Sequence, residues 1–195
     1  MSRSDVASRI KEAAILVVAE EGLSNLSVSA ISARAGVTEA RFHEHWSDAW
    51  SVLIDAFDER VRQPSLPDKG RLLDDLVAYA LAYHAQCADP PFTACMFQLL
   101  AEMRLDASLL RKLRPGFFVR RGRNRVMIDR AVARGELPPD VDGDAILDGV
   151  LAFCVSRIGV GETPPEPDVR TAIGRLIDKA RDANIGPRQV SVFWR

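Results

Sequence analysis

The sequence has only three cysteines, Cys87, Cys95 and Cys154, an odd number without a CxxC pair. That spacing argues against both a disulfide framework and a zinc site, and no metal is expected. Long apolar runs are missing too. The most hydrophobic segments, 13–19 and 145–155, fall short of the ~18 residues that cross a bilayer, and Asp148 and Gly149 interrupt the second. The opening Met-Ser-Arg-Ser-Asp lacks the apolar run of a secretory signal, so a cytoplasmic protein with no membrane partner is expected. No GxSxG occurs, and no nucleophile stands with a positioned base and acid, so neither an enzyme nor a cofactor is expected. Strand-like alternation and internal repeats are also lacking.

What is present is helical. With 47% hydrophobic and 27% charged residues over 195 positions, the chain can bury a sizeable core and keep a charged surface. Ile10, Ala13, Ala14, Val17 and Val18 follow a helical period that Gly22 stops. Ser27 can cap a short second helix carrying Val28, Ile31 and Ala35, and Thr38 a third running through Trp46. Ser47 or Asp48 opens a fourth, with Trp50, Leu53, Ile54, Phe57 and Val61 on one face. Residues 63–69, with Pro64 and Pro67, read as a linker. Leu72, Leu76, Tyr79, Ala80 and Tyr83 mark a fifth helix, closed by Asp89-Pro90-Pro91. A sixth covers 92–105, and a seventh covers 107–134 with a kink or break expected at Pro115-Gly116. An eighth spans 144–158 and a ninth 168–183. The fold class expected is all-α, with about nine helices.

Residues 27–46 are the informative stretch. A helix-turn-helix needs a short helix, a tight turn containing glycine, and a second helix with a polar face free for the major groove. Ile31 and Ala35 can pack inward, Gly36 supplies the turn, and Val37, Phe42 and Trp46 anchor the second helix. Thr38, Glu39, Ala40, Arg41, His43, Glu44 and His45 remain for the outward face. Arg41 suits a bidentate contact with guanine, and His43 or His45 a phosphate or base edge. Ser27 and Thr38 place hydroxyls and free amides where phosphates bind. The charge pattern cuts against this reading. The first 60 residues carry six bases against ten acids, whereas 104–134 carry ten against two, within a net charge of −1.

The run Arg9-Ile-Lys-Glu-Ala-Ala, then Glu21-Gly22-Leu23, then residues 27–38, then Phe42-His43-Glu44-His45-Trp46, resembles the N-terminal domain of the TetR family of bacterial repressors in order and spacing. The resemblance implies a DNA-binding domain at 1–47 and an effector-binding and dimerisation domain at 48–195. It implies a homodimer built mainly from the last two long helices, a ligand cavity among the fourth to eighth helices, and a pseudo-palindromic double-stranded operator released on effector binding. It assigns DNA contacts to Ser27, Thr38, Glu39, Ala40, Arg41, His43 and His45. The sequence departs from the family pattern where His43 replaces a common tyrosine and Ala49-Trp50 stands near a common lysine. Glu39 and Glu44 add negative charge to the face meant for phosphates. The alternative is a helical ligand-binding or carrier protein of the same fold without DNA binding.

Tyr79, Tyr83, His84, Met96 and Phe118 are the candidate ligand-binding residues, with Gln86 and Gln98 as further polar groups. Aromatic and Met stripes at helical spacing are commonly plain core, but apolar clefts with few polar groups are what small-molecule sites look like. A mostly hydrophobic effector follows. His43 and His45 lie two apart and share no helix face, which disfavours a metal. His84 and Cys87 read as satisfied interior side chains. Arg120, Arg121, Arg123 and Arg125, with Arg111, Lys112 and Arg114 upstream, form the sharpest charge cluster. A solvated face, an anionic effector and an acidic partner all remain open for it. The apolar C-terminal run of Val190, Val192, Phe193 and Trp194 is expected to pack on the core or on a dimer partner.

Overall fold

The computed structural model describes residues 3–61 and 65–182, apart from the side chains of Arg3, Phe117 and Phe118. Pro64, the Phe118 side chain and the C-terminal run 190–194 therefore lie outside the described residues. Among the described residues the chain forms nine α-helices, one 3-10 turn and no strand. None of these helices is long and apolar enough to cross a membrane.

The first helix, α1 (Arg3–Glu21), buries Ile10, Ala13, Ala14, Val17 and Val18, none more than 3% exposed. Gly22 leaves it at φ 92, a left-handed conformation that glycine adopts without Cβ strain. The 3-10 turn Leu23–Asn25 that follows is too short for any periodicity to signal. Ser27 then caps α2 (Val28–Ala35), its Oγ accepting from the N–H of Ala30 at 3.1 Å. Asp48 and Ser51 cap α4 (Ala49–Val61) reciprocally: the Ser51 N–H donates to Asp48 Oδ1 at 2.9 Å, and Ser51 Oγ donates to the Asp48 carbonyl at 2.7 Å.

Several boundaries and faces differ from expectation. The third helix, α3, covers only Glu39–His43, because the N–H groups of His45 and Trp46 both turn back onto the Phe42 carbonyl. On α4 the buried set is Ala49, Val52, Leu53, Ala56 and Val61, while Trp50, Ile54 and Phe57 are only half-buried. Asp55 and Glu59 must reach Lys11 on α1, a polar requirement that hydrophobic periodicity ignores. The prolines after Asp89 open a helix. Asp89 caps α6 (Pro90–Glu102), since proline at a first turn gives up an N–H with no partner to lose. The helix before it, α5, spans Leu72–Cys87. The long α7 (Ala107–Ala133) runs through Pro115 without the expected break. One missing backbone bond does not outweigh the rest of a 27-residue helix. Asp142 caps α8 (Gly143–Gly159), and α9 spans Glu166–Asp182.

The chain divides into two compact units, Met1–Arg62 with Gln86–Gly116, and Gln63–Ala85 with Phe117–Arg195. In the first, α1 packs on α2, α4 and α6. In the second, α8 lies on α9, with Gly149 so close that a Cβ there would stand 3.0 Å from Leu176 Cδ2. The start of α5 is tied down by Glu136, which accepts from the Leu72 N–H at 2.9 Å and from Arg134 Nε at 2.6 Å.

Candidate nucleic-acid interface

Two capped helices meet at one glycine in the first unit. Gly36 has φ 64, and its N–H returns to the Ala33 carbonyl. A Cβ here would sit 2.9 Å from Arg9 Nη2, which donates to the Ala35 carbonyl and fastens α1 to the turn. Thr38 caps α3, its Oγ1 accepting from the Arg41 N–H at 3.2 Å. Phe42 is fully buried, Ile31 is fully buried and Ala35 is 4% exposed, so these three hold the two helices from beneath. Thr38, Glu39, Ala40 and His43 stand in solvent, as does the Ser27 hydroxyl at the start of α2. Short polar and small side chains at two helix starts are what close approach to a phosphate backbone requires.

The cations of this head are already engaged. Arg41 Nη1 donates to Glu44 Oε2 at 2.6 Å. Arg34 reaches Glu20 at 2.5 Å and Glu21 at 3.3 Å. Lys11 pairs with Asp55 at 3.0 Å and with Glu59, and lies 5.8 Å from the Trp46 ring. Burial alone would lower the Lys11 ammonium, but the two carboxylates hold its pKa above the ordinary value. Arg60 faces Asp89 at 3.1 Å. Four of the acids that make the head negative, Glu20, Glu21, Asp55 and Glu59, therefore fasten α1, α2 and α4 to one another. Glu39 lies on α3 itself, and Glu44 is its C-terminal cap.

Trp46 anchors the segment as expected, though through its indole N–H, whereas His45 takes a part that the sequence pattern does not assign. Trp46 Nε1 donates to Asp55 Oδ2 at 3.2 Å, which pins the end of the reading segment to α4. His43 Nδ1 lies 3.3 Å from the Trp46 carbonyl. His45 is half-buried against Trp46, at 5.4 Å between ring centroids. Its Nε2 is buried without a hydrogen-bond partner among the described residues, so that nitrogen is not offered to a groove. His45 thus departs from the outward placement expected of it.

The candidate ligand residues belong to both units. Tyr79, Tyr83 and His84 belong to the second unit and Met96 to the first. Tyr79 and Tyr83 are 5% and 3% exposed with rings stacked at 6.3 Å. Asn124, which the sequence reading passes over, is buried and donates from Nδ2 to the Tyr79 hydroxyl at 2.7 Å. His84 Nε2 meets the Glu162 carbonyl at 2.8 Å. Cys95, in the first unit, has its thiol pushed up to about 12 by burial, which leaves it protonated and inert. Within the basic cluster, Arg121 contacts both Asp148 oxygens, at 2.5 and 2.6 Å, and Arg125 reaches Asp144 at 3.1 Å. Part of the cluster is therefore paired to α8. Among the described residues, no three His, Cys, Asp or Glu side chains converge to hold a metal ion.

Comparison with known proteins agrees with this arrangement. Residues 10–48 match the family model described as bacterial regulatory proteins, tetR family. Residues 66–178 match the one described as tetracyclin repressor-like, C-terminal domain. The chain is 26% identical over 141 residues to the HTH-type transcriptional regulator YdeS of Bacillus subtilis, covering 71% of each. It is 24% identical over 156 residues to the HTH-type transcriptional regulator AqdR of Rhodococcus erythropolis, covering 77% of this chain and 74% of that one. In fold it is similar to MexZ of Pseudomonas aeruginosa, described as a key repressor responsible for antibiotic resistance. That likeness has a TM-score of 0.67 at 19% identity over 94% of this chain and 98% of that one. The fatty acid degradation regulator FadR of Bacillus halodurans is likewise similar, with a TM-score of 0.69 at 16% identity over 93% and 97%.

Proposed function

Because this chain belongs to the TetR family and is a helix-turn-helix transcriptional regulator, we propose that it acts as a homodimeric repressor released from its operator by a small, mostly hydrophobic effector. The observation that carries the reading is the pair of capped helices about Gly36, with Phe42 fully buried beneath and Thr38, Glu39, Ala40 and His43 outward. In the bound state Arg41 exchanges Glu44 for a guanine edge, and the Ser27 and Thr38 hydroxyls and His43 meet phosphates. A carrier without DNA contacts is not supported, since the 10–48 segment matches the family's regulatory model and keeps both caps and the turn.

The functional boundary is placed near 47/48, where the reading segment ends and Asp48 starts a new helix. A second copy would join through α8 and α9. Ala145, Ala152 and Ser156 stand exposed along one face of α8, and side chains this short let two helices approach closely. A two-fold dimer would set its reading helices about 34–36 Å apart, one turn of DNA. Tyr79, Tyr83, His84 and Asn124 are the polar groups that would orient an apolar effector in the second unit. No catalytic step is part of this reading.

The test is selection of sites from random duplexes with the purified protein, followed by salt titration of the enriched sequence and sedimentation of the complex. The expected winner is a pseudo-palindrome bound by two copies. Failure of any sequence to enrich would sink the operator reading.

A further inference from the structure

A duplex-binding head needs cations facing phosphates. Each of the five lysines and arginines between residues 4 and 61 is already engaged: Arg9 with the Ala35 carbonyl, Lys11 with Asp55 and Glu59, Arg34 with Glu20 and Glu21, Arg41 with Glu44, and Arg60 with Asp89. The compact unit that contains the head does not end at residue 62, however. It includes Gln86–Gly116, and with it the first turns of α7. That segment brings Arg104, Arg111 and Lys112, all with exposed side chains.

The direction in which α7 runs along α4 decides where these cations lie. A Cβ on Gly116 would stand 3.2 Å from Asp58 Oδ1, near the end of α4. Lys112 Nζ stands 5.5 Å from the Trp50 ring, in the first turn of α4. Going back along α7 thus means going toward the start of α4. At ~1.5 Å per residue, positions 107–111 extend that path further in the same direction. The start of α4 is joined to the end of α3 by only five residues, 44–48. A helix lying in a major groove ~12 Å wide has a phosphate strand on either side. A cation beside the segment that leaves such a helix is therefore within reach of that strand.

We propose that Lys112, carried on the first turns of α7 and seated over Trp50, contacts the phosphate backbone of the operator, so that a segment distant in sequence completes the DNA-binding surface. Arg111, its neighbour on α7, adds to the same local field. The Trp50 ring serves as a platform. A cation–π contact holds the ammonium in place while its N–H groups stay available to an anion. The Ser51 N–H above all, then the Ser47 hydroxyl and the Trp50 N–H, hold the Asp48 carboxyl below the usual range, and the charge of Lys112 adds the smallest share. This inference rests on the operator reading above, and the experiment separates the two.

Full-length protein is titrated against the enriched duplex and against random duplex between about 50 and 200 mM salt. Lys112→Gln is expected to weaken both to the same degree and to reduce the slope of log K against log salt by about 0.9, the loss of one phosphate contact. Lys112→Arg should keep the slope. Lys69→Gln, which removes the same charge from the other compact unit, should leave it unchanged, and matched melting curves confirm that the variants are folded. A wild-type protein that binds while Lys112→Gln shows the same slope overturns this inference alone. A wild-type protein that enriches no duplex overturns the operator reading and this inference with it.

Discussion

The two compact units handle polar side chains in opposite ways. Among the described residues, the first buries a single polar side chain, Ser32, and keeps its charges at the surface as ties between helices. The second buries Asp75, His84 and Asn124, which bond to the Lys69 N–H, the Glu162 carbonyl and the Tyr79 hydroxyl. A mostly apolar interior tied at its rim suits a rigid reading head, because few groups inside it can exchange partners. An interior with hydrogen-bonded polar groups can trade those bonds with a ligand. Under the proposed function, a division of labour between reading and sensing would be expressed in where each unit keeps its polar atoms.

The largest effect that would break this comparison is on the apolar side. Phe42→Ala removes the fully buried ring beneath both helices. It should cost about 3–5 kcal/mol of stability and abolish operator binding, read by chemical denaturation and gel shift. Arg41→Ala should cost about 1–3 kcal/mol of discrimination at one base pair, with little change in binding to random duplex. Competition between the enriched duplex and its single-base variants checks this. In the second unit, Asn124→Ala removes the buried hydrogen bond to the Tyr79 hydroxyl and should cost about 0.5–1.5 kcal/mol. The double change Asn124→Leu with Tyr79→Phe should be much milder, as thermal melts would reveal.

Glu136 sharpens the comparison by pH. Burial alone would raise its pKa, but the Leu72 N–H and Arg134 more than offset that, so its pKa lies below the ordinary value. A depressed carboxylate pKa contributes stability above its unfolded value of 4.5, and that contribution is lost as pH falls through the folded value. Glu136→Gln should therefore melt earlier than wild type at pH 7, and the two curves should converge as the medium becomes strongly acidic. The smallest effect is Glu44→Gln. Freeing Arg41 from a surface pair should tighten operator binding by less than about 1 kcal/mol, read as a modest leftward shift of the binding isotherm.

Local signals in the chain were enough for the helix count and for the reading head. Ile10 to Val18 repeat at helical spacing, Ser27 and Thr38 accept from amides three residues ahead, and Gly22 and Gly36 adopt the left-handed turns that end helices. Each of these depends on residues within a few positions of one another, so the order of residue types suffices. The end of α3, the buried face of α4, the Tyr79–Asn124 bond and the seating of Lys112 over Trp50 depend on partners 9 to 62 positions away. Their energies arise only once helices pack. No local pattern shows that Asp55 will draw Trp46 out of its helix or that α7 will return alongside α4. The amino-acid order alone determined which segments are helices and where the helix-turn-helix lies. Tertiary packing decided which charges are engaged in holding that helix and which remain for a partner, because an ion pair forms only where folding has already brought both ends together.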